Sequence, residues 1–171
     1  SFNEYRGRGF SRFFDQWRYI SIKPMFLGEF GIDAYNSLTV GPDEVTHARW
    51  VASLWDEIAR NLSAMDPDNL ALGGFVFEWN DEWWKAGNPL SHDSGGEALI
   101  AFPDGFASEE WWGIVDIDRT PRNLYAALTV RFRESYRVPA RSGLTTYRVD
   151  SVDPKIALFF ENGAQMYGGL D

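Results

Sequence analysis

The chain has 171 residues, no cysteine, eight tryptophans and a formal charge of −9. Phosphate contacts require a basic surface, so this charge argues against a nucleic-acid partner. The absence of cysteine rules out disulfides and thiolate chemistry, and no apolar run approaches the roughly 20 residues that span a bilayer.

Residues 1 to 9 carry Asn3, Tyr5 and Arg6 ahead of two glycines. From Phe10 to Ile20, the residues Phe10, Phe13, Phe14, Trp17 and Ile20 recur at spacings of three and four. That periodicity predicts an amphipathic helix whose aromatics are core. Pro24 to Leu27 is a short apolar run entered through a proline, as at the first position of a buried strand. It ends on Glu29, between Gly28 and Gly31. A carboxylate at a strand exit stands on a rigid support, and Glu29 is read as the reactive group.

Beyond it a loop carries Asp33 and Tyr35, which either line a cleft or are plain loop residues. Gly41-Pro42-Asp43-Glu44 reads as a helix start, with proline and acids in the first turn. The helix presents Val45, Ala48, Trp50, Val51, Leu54, Trp55, Ile58 and Leu62 as an apolar face. His47 lies inside it and has no second ligand at metal-binding spacing, so a packed or surface histidine is expected.

After a turn at Asp66-Pro67-Asp68-Asn69, Leu70 to Phe77 reads as a strand leading into Glu78, Trp79, Asn80, Asp81 and Glu82. Side chains alternate along a strand. If Trp79 faces a cleft, Glu78 faces away and makes a structural ion pair; the competing reading makes Glu78 a second cleft carboxylate. Residues 85 to 112 form a long glycine-rich excursion, expected to roof the cleft without regular structure. Asp81, Asp93 and Asp104 show no EF-hand spacing, so neither a metal nor a cofactor is expected. Thr120 and Pro121 are placed as N-cap and first residue of a helix over about 122–134, burying Leu124, Ala127, Leu128, Val130 and Phe132 in part. Residues 138 to 143 read as a linker, followed by one strand candidate, Ile156 to Phe160.

Trp79, Trp83, Trp84, Trp111 and Trp112 cluster near loops rich in Asp, Glu, Asn and Gly. A pyranose offers C–H faces for stacking and hydroxyls for carboxylates and amides, so this mixture suits sugars. The alternative is a tryptophan-rich rim that merely packs.

Three blocks in order carry a family resemblance. Gly28-Glu29-Phe30-Gly31 resembles the seventh-strand nucleophile motif of retaining (β/α)8-barrel glycoside hydrolases, especially the family 2 type barrel and related β-glucan-active enzymes. Residues 73 to 85, Gly-Gly-Phe-Val-Phe-Glu-Trp-Asn-Asp-Glu-Trp-Trp-Lys, resemble the eighth strand and its loop, and Trp111-Trp112-Gly113-Ile114-Val115 with Thr120-Pro121-Arg122 resembles the return to the last helix.

The resemblance implies an α/β fold: residues 1–137 as the C-terminal portion, about strands six to eight, of a TIM barrel, and 138–171 as a linker and the start of a β-rich accessory domain. A complete barrel needs about 250 residues, so the remainder is expected from a longer chain or a complementary one. The resemblance also implies Glu29 as nucleophile, with Tyr5 either hydrogen-bonded to it or an ordinary strand-end aromatic. Trp79 is implied as the floor of the substrate pocket. Asp33, Tyr35, Asn80, Asp81, Trp83 and Trp84 become candidate substrate contacts, and His92 and Asp93 either touch sugar hydroxyls or brace their loop. The family's acid/base follows an asparagine at the end of strand four. The only Asn-Glu pair here, Asn3-Glu4, falls in the strand-six region by block order. The function implied is retaining hydrolysis or transglycosylation of β-glycosides, with the acid/base supplied from outside this chain. The other readings are a non-catalytic carbohydrate-binding half-barrel and a structural or interaction domain.

Overall fold

The computed structural model describes residues 1–94 and 96–133, and the backbone alone of 134–135, 156–161 and 164–169. Two units result, Ser1–Tyr136 and Arg137–Asp171.

In the first unit, β1 (Phe2–Glu4) is followed by α1 (Phe13–Ile20) and β2 (Met25–Phe30). Ser11 adopts a left-handed φ of 57°, so the helix begins at Phe13 and not at Phe10. Phe10 nonetheless reaches the core, accepting from the Phe13 N–H at 3.1 Å. Ile20, expected inside, is 71% exposed because the apolar face ends one turn earlier. β2 starts directly after Pro24, whose missing N–H costs the ladder nothing there. It runs through Glu29 to Phe30, so the acid is the strand's penultimate residue, three residues before the buried Ile32.

The short strands β3 (Tyr35–Asn36) and β4 (Gly41–Pro42) pair antiparallel before α2 (Glu44–Arg60). Pro42 therefore belongs to β4, correcting its expected place in the first turn of the helix. Asp43 is the N-cap, accepting from the Thr46 N–H at 3.0 Å. α2 buries Ala48, Val51, Ala52, Leu54 and Ile58, whereas Val45, expected on that face, is exposed. β5 (Ala71–Val76) follows. The sheet order is β1-β2-β5, both pairings parallel, with α1 and α2 as the crossovers that parallel strands require. Gly31 lets the Phe77 carbonyl approach β2 where no Cβ would fit. The core joins Phe10, Phe13, Phe14, Leu27, Phe30, Val51, Leu54, Ile58, Leu124 and Leu128. Each such side chain contributes about 1.5–3 kcal/mol of burial.

The stretch 85–112 is not structureless: β6 (Gly96–Ala98) and β7 (Phe106–Ser108) form an antiparallel hairpin inside it. α3 (Asn123–Ser135) starts two residues after Pro121, which instead bridges Val115. The Asn123 N–H donates to Glu44 of α2 at 3.1 Å, and Arg131 grips Asp56 of α2 through Nε at 2.8 Å and Nη2 at 3.0 Å. Leu124 and Leu128 are buried, while Val130 is exposed and Phe132 sits edge-on to Trp55 at 4.8 Å.

In the second unit β8 (Ile156–Glu161) pairs antiparallel with β9 (Ala164–Gly169), a hairpin where one strand was expected. The expected linker at 138–143 lies outside the described residues. Among the described residues no helix is long and apolar enough to cross a membrane. The architecture of the first unit is a small mixed α/β arrangement of three helices and short sheets.

Candidate active site at the end of the parallel strands

Glu29 and Tyr5 meet at the C-terminal ends of β1 and β2. The register pairs Asn3 with Glu29, which brings the residue two places after Asn3 alongside the acid. The Tyr5 hydroxyl donates to Glu29 Oε2. Its ring is held edge-on by Trp112 at 5.1 Å and by Phe77 at 6.2 Å, and Phe77 meets Trp112 at 5.6 Å. Edge-to-face packing of three aromatics fixes the phenol's direction. Burial raises the Tyr5 pKa, reinforced by the Glu29 bond and charge and then by Glu109 and Glu78. Tyr5 is therefore a permanent donor to Glu29 and never a competing anion.

Next to this pair stand further acids. Glu78 follows Phe77, which ends the chain's run along β2 by donating its N–H to the Phe30 carbonyl at 2.9 Å. Its Oε1 is buried and has no hydrogen-bond partner among the described residues. Burial, then the charge of Glu82, pushes the Glu78 carboxyl up to about 8, against the pull of Lys85. Lys85 donates to Glu82 at 2.8 Å and Glu109 at 3.1 Å, and its Nζ lies 4.8 Å from the Phe77 ring centroid. Burial alone would depress Lys85; the bonds to Glu82 and Glu109 overcome it and hold its pKa above the ordinary lysine value.

A separate node braces the loops. Asp81 is wholly buried, accepting from the Gly113 N–H at 2.7 Å and from Arg122 Nη2. Glu110, also buried, accepts from the N–H groups of Ala86 at 3.0 Å and Asp93 at 2.6 Å. His92 stacks on Trp111 at 3.6 Å and its Nε2 donates to the Glu110 carbonyl at 2.8 Å. Asp93 accepts from the Asn88 N–H at 2.6 Å, and its carbonyl takes the Trp111 indole N–H at 2.9 Å.

No family model matches this sequence, and no curated protein matches it. Solved structures similar to it include a GH2 β-galacturonidase from Eisenbergiella tayi bound to glycerol, 14% identical with a TM-score of 0.47 over 77% of this chain and 23% of that one. A β-glucuronidase from Faecalibacterium prausnitzii is 20% identical, with a TM-score of 0.44 over 77% of this chain and 21% of its own. A Bifidobacterium dentium β-glucuronidase complexed with coumarin-3-O-glucuronide is 18% identical, with a TM-score of 0.43 over 77% and 20%. The chain spans about a fifth of the length of each.

Of the residues singled out in the sequence, the structure brings Tyr5 and Glu29 together and distributes the others. Asp81, a candidate substrate contact, is wholly buried and paired with Arg122. Asp33 is another. It is 5% exposed and accepts from the Ser108 N–H, tying the β2 exit to β7; burial pushes it up to about 7, with the Ser108 bond opposing and Asp104 adding to the rise. Trp79, implied as the floor of the substrate pocket, packs toward α3. It is 58% exposed and sits edge-on to Tyr125 of α3 at 6.2 Å, while Phe77 and Trp112 occupy the position beside Tyr5. Glu78 makes no ion pair among the described residues, unlike the structural pair expected for it, and its charge acts on Tyr5.

Tyr35 packs on Trp111 at 5.0 Å, in the bracing node. Asn80 donates to the Asp81 carbonyl at 2.7 Å. Trp83 and Trp84 meet edge to face at 4.7 Å, with Trp84 exposed. His92 and Asp93 take the bracing option. His47 is 1% exposed, packed and not on the surface, and its pKa is pushed down to about 3, chiefly by burial and then by Arg122. Among the described residues no group of three or more His, Cys, Asp or Glu is arranged to hold a metal ion. The sequence reading missed Glu109 and the role of Lys85; an acid-acid-aromatic run, Glu109-Glu110-Trp111-Trp112, was the available signal.

Proposed function

We propose that residues 1–137 are the C-terminal portion, about strands six to eight, of a (β/α)8-barrel retaining glycoside hydrolase or transglycosylase acting on β-glycosides, with Glu29 as nucleophile. The observation that carries this reading is the Tyr5 hydroxyl donating to a carboxylate at the C-terminal end of a parallel strand. It is joined by the three-block sequence resemblance.

Retention follows from two carboxyl groups about 5–5.5 Å apart. The Glu29 carboxylate attacks the anomeric carbon, the glycosidic C–O bond breaks, and the leaving oxygen takes a proton from the acid/base. Water, or an acceptor hydroxyl, then gives its proton to the same acid/base and displaces Glu29 from the glycosyl ester. The Tyr5 hydroxyl orients one Glu29 oxygen and leaves the other for attack. The acid/base comes from outside these residues, on the same longer chain or a complementary one.

The test uses the protein encoded by the full coding sequence, verified by intact mass. With an aryl 2-deoxy-2-fluoro-β-glycoside, the fluoroglycosyl ester forms on the peptide containing Glu29, and Glu29→Gln abolishes both labelling and turnover of aryl β-glycosides. Label on another carboxylate overturns the assignment. Sugar binding without turnover leaves a carbohydrate-binding half-barrel in its place.

A further inference from the structure

Resting on the hydrolase reading, we propose that the sugar bound against Glu29 carries no negative charge, and that one of its hydroxyls meets Glu78.

The charges that act on Tyr5 and Glu78 are Glu29, Glu109, Glu82, Asp81 and Lys85, and only Lys85 is positive. Lys85 is already held between Glu82 and Glu109. The other nearby cations are turned away: Arg6 pairs with Glu4 and lies over the Phe13 ring at 5.3 Å, and Arg122 is buried against Asp81. A uronic acid's carboxylate placed here would meet the charges of Glu29 and Glu109, and among the described residues no cation is there to pair it except by breaking a Lys85 bond. Like charges brought together in this way cost enough to lower kcat/KM about 100-fold or more.

The second strand of the argument is Glu78 Oε1, buried and without a partner among the described residues. A buried polar atom left unpaired calls for an explanation, and a ligand hydroxyl supplies one. Burial and Glu82 keep a proton on this carboxyl near neutral pH, so it both donates to and accepts from a hydroxyl without adding a fourth negative charge. The groups facing Glu78 are Glu82, Lys85, Asp81, Glu109 and Tyr5, drawn from the β5 exit loop, the segment after β7 and the β1 exit.

The experiment compares 4-nitrophenyl β-glucoside and β-galactoside with the matching β-glucuronide and β-galacturonide on the full-length protein. The better neutral glycoside exceeds its uronide at least about 100-fold in kcat/KM. Glu109→Gln, which removes one negative charge and one Lys85 partner, narrows that ratio by lowering KM for the uronide. Glu78→Ala raises the KM for the neutral substrate about tenfold. A uronide turned over as well as the neutral sugar, or a ratio that Glu109→Gln leaves unmoved, overturns the proposal. If no glycoside is turned over, the hydrolase reading fails separately. Calorimetric titration with methyl β-glucoside and methyl β-glucuronide then decides the charge preference: tighter binding of the neutral sugar upholds it, and equal binding, tighter uronide binding or no binding overturns it.

Discussion

Asp81 and Glu78 lie three residues apart on the same exit from β5, and their surroundings are opposite. Asp81 receives a backbone N–H from Gly113 and a guanidinium from Arg122, and is wholly buried. Glu78 faces Glu82 and Glu109, shares no ion pair among the described residues, and keeps one buried oxygen without a partner. The satisfied acid is a brace; the unsatisfied one is available to a ligand. Within one loop, partner count separates scaffold from chemistry better than residue type does.

The comparison breaks most visibly at the brace. Removing one side of a buried ion pair leaves the other charge unpaired, which costs about 3–5 kcal/mol. Asp81→Ala is expected to lose that much in chemical denaturation, since it strands Arg122 and frees the Gly113 N–H. Asp81→Ala combined with Arg122→Met should recover part of the loss. If the single variant costs under about 1 kcal/mol, the node does not hold the loops, and Asp81 returns to the list of ligand contacts.

On the chemical side the corresponding change is Tyr5→Phe. It deletes one charge-assisted hydrogen bond to Glu29, of about 1.5–3 kcal/mol. The ring contacts with Trp112 and Phe77 remain. In the full-length enzyme kcat should fall about 10- to 100-fold, with the denaturation midpoint little changed. A large loss of stability with kcat intact would make Tyr5 a strand-end aromatic and nothing more.

Glu78 supplies a pH signature of its own. A carboxyl raised from 4.5 to about 8 by folding favours the folded state when protonated, so its contribution is fully present below pH 4.5 and is lost as pH rises through about 8. Glutamine does not titrate. The melting temperature of Glu78→Gln relative to the parent should therefore rise steadily across that window and level off above it. A difference independent of pH means Glu78 is ionised throughout, and the contrast with Asp81 collapses.

Much of the framework was legible from local pattern. The Phe10, Phe13 and Phe14 spacing, the proline-led run into Glu29 and the acid-rich start of α2 each depend on neighbours within a turn or a pleat. The pairing of Tyr5 with Glu29 was open in the residues and is drawn together by parallel register. What escaped has long-range causes. Asp81 finds Arg122 41 residues away, and Asp33 finds Ser108 75 residues away, so loop acids that read as solvated or ligand-facing are buried instead. The β6–β7 hairpin has strands of only three residues, and β6 is built on Gly, Glu and Ala, which carry little strand signal. Alternation says little about Glu78 and Trp79, because β5 ends at Val76 and period two has no authority beyond the strand.

Trp79 gives the smallest expected effect and the sharpest check on that last point. It is more than half exposed and its ring meets Tyr125 on α3. Trp79→Ala should change stability by less than about 1 kcal/mol and kcat/KM for an aryl β-glycoside by no more than about threefold. Phe77→Ala should do more on both counts, because Phe77 carries the contacts to Tyr5, Trp112 and Lys85. Were Trp79→Ala to raise KM tenfold while Phe77→Ala left it unchanged, the pocket floor would be Trp79 after all. Glu78 would then face away from the reaction centre, and the acids around Lys85 would be a surface cluster with no part in binding the sugar.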